Sequence, residues 1–166
     1  MPDTVEKHRK KLLAPYKQSK KSSAVVKSAK RLALLILGCE ELLVSHRKKM
    51  LKEVIWLISE ADGKYSTRYR SAEVVRLARE ETSCNVLIQH EHVFPKARAV
   101  DRLLEDKEAL LSDSERLSRV LDQTVACVVT KEEHRRLVDG DGWERYRSVA
   151  VLDMSTDPPS RVPKSL

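Results

Sequence analysis

This chain of 166 residues is poor in several kinds of residue, and each shortage excludes something. It has three cysteines, Cys39, Cys84 and Cys127, odd in number, widely spaced and with no CxxC among them. That excludes a disulfide framework and a four-cysteine zinc site, and it fits a reducing cytoplasm. Aromatic residues are only 4% of the chain, with a single Phe, so the core must be built from Leu, Val, Ile and Ala. The longest apolar run, Leu32 to Leu37, is far short of the roughly 20 residues needed to cross a bilayer, so no membrane partner is expected. The segment Met1 to Lys11 is polar and charged, with no apolar signal core behind it.

What is present is charge. The net charge is +7, and it is unevenly placed. Residues 1–52 hold 14 Lys and Arg against 4 Asp and Glu, a net of +10; the remainder holds 18 against 21, a net of −3. A basic N-terminal region on a near-neutral body suits a polyanion, most simply nucleic acid. Solubility or an anionic membrane surface is the plainer reading of the same residues. With 41% hydrophobic residues the chain is long enough for one globular domain, alone or with an appendage.

Local patterns divide the chain into four parts. Residues 1–22, Lys-rich with Pro15 and a polar stretch over 19–23, read as a basic flexible arm or a partly helical one. Residues 23–83 read as a basic helical region. Ser23 is a candidate cap, and Val25, Val26, Ala29, Leu32, Ala33, Ile36 and Leu37 recur at helical spacing. A second helix over about Lys48 to Glu60 follows, although Val54–Ile58 also suits a strand. Ala61-Asp62-Gly63-Lys64 is a turn, and Ser71 caps a helix from Ala72 to about Glu80. Residues 84–154 begin with an apolar strand, Val86 to Val93, ended by Pro95. A helix over Lys96–Leu111 is expected next, then a shorter one capped by Ser112 or Asp113 and reaching Leu121. A second strand spans Thr124–Val129. Thr130-x-x-Glu133 has the form of a capping box opening a helix to about Val138, before the Asp139-Gly140-Asp141-Gly142 turn. Trp143 to Arg147 reads as a helical turn and Val149 to Leu152 as a last strand. Residues 155–166, with Pro158, Pro159 and Pro163, read as a disordered tail.

Two of the five histidines, His90 and His92, fall within three residues at the end of the first strand, with Glu91 between them. A third, His134, lies 42 positions after His92 on the capped helix. Phosphodiester hydrolysis needs a base for the attacking water, a cation to neutralise charge building on the phosphate, and a grip on the backbone. Histidine suits the base because its pKa lies near neutrality. A carboxylate and another histidine suit one divalent ion.

On Glu91-His92-Val93-Phe94-Pro95 and Thr130 to His134, the chain resembles the HNH endonucleases, also called ββα-metal or His-Me finger nucleases, over about residues 84–138. The resemblance implies an α+β, mainly helical fold: an HNH-like ββα-metal core with a long helical insertion, preceded by the basic helical region. It implies His92 as general base, Glu91 and His134 as ligands of one divalent ion (Mg, Mn, Ni or Zn), and DNA or RNA as substrate. In a regular strand Glu91 faces away from His90 and His92, so Glu91 and His92 share a site only if the strand end twists; otherwise His90 is the alternative ligand or a supporting partner. The asparagine many members carry near the second strand is absent; Asp122, Gln123 and Thr124 are the candidates to orient the base in its place. The paired CxxC motifs of many relatives are also absent.

Two stretches mix cations with flat rings, Lys64-Tyr65-Ser66-Thr67-Arg68-Tyr69-Arg70 and Trp143-Glu144-Arg145-Tyr146-Arg147. Lys64, Arg68, Arg70, Arg145 and Arg147 suit phosphates, and Tyr65 and Tyr69 suit sugar or base. Packing of the same rings into a core short of aromatics, with the arginines reaching outward, explains them equally well. The expectation is therefore a cytoplasmic metal-dependent endonuclease or nickase, with a homodimer as one way to cut both strands. The rival is a non-catalytic, α-rich nucleic-acid-binding or regulatory protein, and a weaker one is a helical interaction module using the Leu32–Ile58 face.

Overall fold

Short-range capping opens four of the helices. In a computed structural model, which describes residues 2–80 and 87–163, the Ser71 hydroxyl accepts the Val74 N–H and opens α4 (Ala72–Arg79). Asp113 accepts the Arg116 N–H and opens α7 (Ser114–Asp122). Each such cap is worth about 1 kcal/mol. The helix expected to start at Ser23 starts earlier: Ser19 caps α2 (Lys20–Gly38), and Ser22 is buried inside it. Val54–Ile58 is helical, part of α3 (Val44–Ser59). The single helix expected over Lys96–Leu111 is two, α5 (Lys96–Glu105) and α6 (Lys107–Ser112), with a break at Asp106.

The chain forms two compact units. One contains residues 19–61 and 94–125 and is all helical among the described residues: α2, α3, α5, α6 and α7. Its core joins Ala33, Leu37, Leu51, Ile55, Leu103 and Leu121 from four of these helices. Burying one such Leu or Ile side chain stabilises by roughly 1.5–3 kcal/mol. The division is not the linear one expected, because the chain enters this unit twice.

The other unit contains residues 1–18, 62–93 and 126–166. It holds α1 (Pro2–Leu13), α4 and a five-stranded mixed sheet: β1 (Tyr69–Ser71), β2 (Ile88–His92), β3 (Ala126–Thr130), β4 (Val151–Asp153) and β5 (Ser160–Arg161), in the order β2-β3-β1-β4-β5. β1 and β3 are parallel; the other neighbouring pairs are antiparallel. Leu12, Val74, Ala78, Ile88 and Val128 join α1 and α4 to one sheet face. Of the two readings of the arm, the helical one holds over Pro2–Leu13: α1 docks through Leu12, which has no exposed surface. Residues 160–161 of the expected disordered tail pair with β4. Cys84, and the beginning of the strand expected from Val86, lie outside the described residues.

Candidate functional site

β3 runs directly into α8 (Lys131–Arg135) through Thr130, which is both the last strand residue and the helix cap. The capping box forms as its sequence indicates. Thr130 Oγ1 accepts the Glu133 N–H at 3.0 Å, and Glu133 Oε2 accepts the Thr130 N–H at 2.9 Å. The same carboxylate oxygen also accepts the Ser71 hydroxyl at 2.5 Å. Glu133, only 4% exposed, therefore ties the caps of α4 and α8 together across the parallel β1–β3 pair. The Thr130-x-x-Glu133 spacing reveals the cap; nothing local reveals the bond to Ser71, 62 residues away.

α8 brings His134 to Glu91. His134 Nε2 lies 3.0 Å from Glu91 Oε2, and Arg145 Nη2 donates to the other oxygen, Oε1, also at 3.0 Å. Arg145 Nη1 donates to the His92 carbonyl at 2.6 Å, so one guanidinium holds both the carboxylate and the strand end. Arg145 reaches this position from the 3-10 turn Gly142–Tyr146, after the glycine-containing turn over 139–142 folds the chain back and Val138 N–H bonds to the Arg145 carbonyl. Glu91 pairs with Cys127 in the β2–β3 register. Burial first, then the Glu133 and Glu91 charges, pushes the Cys127 thiol well above its ordinary value, so it is inert as a nucleophile. Burial likewise lifts the phenol of Tyr146, behind Glu91 and Arg145.

His90 and His92 occupy the opposite face of β2. The strand keeps its regular register through His92, and the two imidazole rings lie 5.4 Å apart on one side. His92 is 5% exposed. The twist that would have brought Glu91 and His92 together does not occur, and His90 is not beside Glu91 and His134. This corrects the expected grouping: Glu91 meets His134, while His90 and His92 lie together on the other face of β2.

Other sequence candidates are also engaged elsewhere. Asp122 pairs with Lys30 at 2.6 Å within the helical unit, and the Thr124 hydroxyl donates to the Leu121 carbonyl at 2.6 Å; Gln123 caps the same helix end. The contacts of Gln123 and Thr124 close the C-terminal end of α7. In the basic-aromatic stretch, Arg70 is 1% exposed and donates to the carbonyls of Thr67, Leu12 and Ala14, so it is a core residue and not a phosphate ligand. Arg68 pairs with Asp153 through two nitrogens. Tyr65 stacks on His8 at 3.8 Å, Tyr69 meets Trp143 edge-on at 4.8 Å, and Lys64 donates to the Ile88 carbonyl. Arg147 is exposed at the end of the 3-10 turn.

Compared with family models, characterised proteins and solved structures, the chain has no significant match. Among the described residues no three His, Cys, Asp or Glu side chains converge as a ligand group. Glu91 and His134 form a two-donor pair whose spacing suits an ion. Donors about 2.1 Å from a six-coordinate ion and at right angles lie about 3 Å apart, which is the spacing of Glu91 Oε2 and His134 Nε2. Without an ion the same spacing is a close contact between a carboxylate oxygen and an imidazole nitrogen, which an ion would replace. Among the described residues, no helix is long and apolar enough to cross a membrane.

Proposed function

We propose that the protein is a metal-dependent, HNH-type phosphodiester hydrolase acting on DNA. The observation that carries the reading is the 3.0 Å approach of Glu91 on β2 to His134 on α8, from positions 43 apart in the chain. The antiparallel β2–β3 pair leading straight into α8 supports it. Glu91 and His134 would hold one divalent ion, which when bound supplies a positive centre for charge building on the phosphate. Arg145 fixes the Glu91 carboxylate and keeps its second oxygen turned to His134. The resemblance assigns the base to His92; the burial of that ring on the opposite face of β2 favours a second reading, a non-catalytic nucleic-acid-binding protein in which the histidines serve the fold.

Conversion of supercoiled plasmid to nicked or linear form separates the two, with Mg, Mn, Ni or Zn against chelator. Cutting should be metal-dependent and lost in Glu91→Gln and in His134→Ala. Loss in His92→Ala as well would assign the base; full activity in that variant would remove His92 from the reaction. If no metal supports cutting while salt-sensitive DNA binding persists in chelator, the second reading holds. A labelled RNA of the same sequence identifies which nucleic acid is cut.

A further inference from the structure

The cations next to aromatic rings are mostly consumed by the fold, which leaves a nucleic-acid surface to the others. Many of the arginines pair with carboxylates: Arg9 with Glu6, Arg76 with Glu73 and Glu80, Arg116 with Asp106, Arg135 with Glu132. Lys30 and Lys48 are paired across the helical unit, with Asp122 and Asp101. On α2 the pattern changes. The helix contains no acidic residue, and Lys20, Lys27 and Arg31 are exposed, with no ion pair among the described residues.

Their spacing is that of a row. At 100° per residue Lys20, Lys27 and Arg31 fall within about 40° of one another on the helix surface, and at a rise of about 1.5 Å per residue they span roughly 16 Å. One nucleic-acid strand presents about five phosphates over that length. The exposed residues between and beside the cations over 23–28 are small, Ser23, Ala24 and Ser28, so nothing stands above the row to hold a backbone away, and the two hydroxyls are further donors. The opposite side of the helix, Ala29, Ala33, Ile36 and Leu37, is committed to the core, which fixes the row outward.

We infer that the outward face of α2 is a sequence-independent binding surface for a nucleic-acid phosphate backbone, with Lys20, Lys27 and Arg31 as its phosphate contacts. The surface rests on nucleic acid being the partner but not on cleavage, so it is tested in chelator, where no cutting occurs. Binding of a fluorescent 20-base-pair duplex is followed by anisotropy between 50 and 300 mM salt. Each lost phosphate contact lowers the slope of log affinity against log salt by about 0.9, so Lys20→Gln/Lys27→Gln/Arg31→Gln should lower it by about 2.7. Gln keeps the helix, and circular dichroism verifies it; should the triple variant misfold, Lys27→Gln/Arg31→Gln should lower the slope by about 1.8. The charge-matched control is Lys7→Gln/Lys10→Gln/Lys11→Gln on α1, whose slope should stay near wild type. An unchanged slope in the α2 variant overturns the inference, as does an equal drop in the control, which would make the effect one of net charge. Wild type that fails to bind the duplex at low salt would overturn the nucleic-acid partner itself. Binding to phosphatidylserine vesicles, lost in the α2 variant while its duplex slope is unchanged, would assign the row to a membrane surface and also overturn the inference.

Discussion

Replacing Arg70 with Met should destabilise the protein strongly and leave its nucleic-acid binding untouched. Arg70 lies on β1, 1% exposed, and donates to Thr67 O at 3.0 Å, Leu12 O at 2.6 Å and Ala14 O at 2.8 Å. Leu12 and Ala14 lie at the C-terminal end of α1, where carbonyls lack helical partners, so one side chain satisfies two of them and draws α1 onto the sheet. Three hydrogen bonds from a charged group are worth roughly 4–9 kcal/mol together. Against that stands burial, which pulls the guanidinium from its ordinary value down to about 10. At 1.36 kcal/mol per pKa unit this is a penalty of about 3 kcal/mol. A net loss of about 3 kcal/mol follows for Arg70→Met, which also leaves three carbonyls without their donor. For a chain of this size that is a fall of roughly 6–12 °C in melting temperature. Arg70→Lys, which cannot reproduce the planar fork, should fall in between. Thermal melts by circular dichroism, paired with duplex anisotropy well below the transition, read both effects. A melting temperature within a degree or two of wild type, or a salt slope lowered by about one, would refute the assignment of Arg70 to the core.

Two further outcomes follow from the same unit. Burial pushes the Asp153 carboxyl up, but the Arg68 guanidinium and the Ser155 hydroxyl and N–H pull it down harder, to about 2 from an ordinary 3.8. Because the folded value is the lower one, this stabilisation is complete above about pH 4 and is lost as pH falls towards 2. Asp153→Asn should therefore lower the melting temperature at pH 6 and show a smaller loss than wild type on going to pH 2.5; parallel pH profiles of melting temperature would rule this out. Glu133→Ala removes the carboxylate shared by the Thr130 N–H and the Ser71 hydroxyl and should cost about 2–4 kcal/mol in urea denaturation, whereas exposed Glu132→Ala should change stability by less than about 0.5 kcal/mol.

How much was legible in the chain depended on how far each residue's partner lay. The caps at Ser71, Asp113 and Thr130 were readable because donor and acceptor are three residues apart. The break between α5 and α6 was not, because Ala109, Leu110 and Leu111 continue a helical pattern through Asp106 and no Gly or Pro marks it. β1 escaped notice for a similar reason: Tyr69-Arg70-Ser71 has no strong alternation and is a strand because β3 and β4 flank it. The lysines of α1 give it the composition of an arm, while the residue that docks it is Leu12.

The sequence by itself determined the helical periodicity, the apolar strands, the capping box and the excess of positive charge in the first third of the chain. It also presented Glu91 and the two neighbouring histidines on alternate faces of one strand, since strand geometry permits nothing else without a kink. Tertiary structure decided which of those faces meets α8. It selected Glu91 and His134 as partners, turned His92 into the interior, placed Arg145 against both Glu91 and the His92 carbonyl, and buried Arg70 while leaving Lys20, Lys27 and Arg31 outside. The physical reason is that a charged side chain carries the same charge in any setting. Whether it serves the core, an ion or a polyanion is fixed by the carbonyls and carboxylates that the fold brings within about 3 Å of it, and those come from residues dozens of positions away.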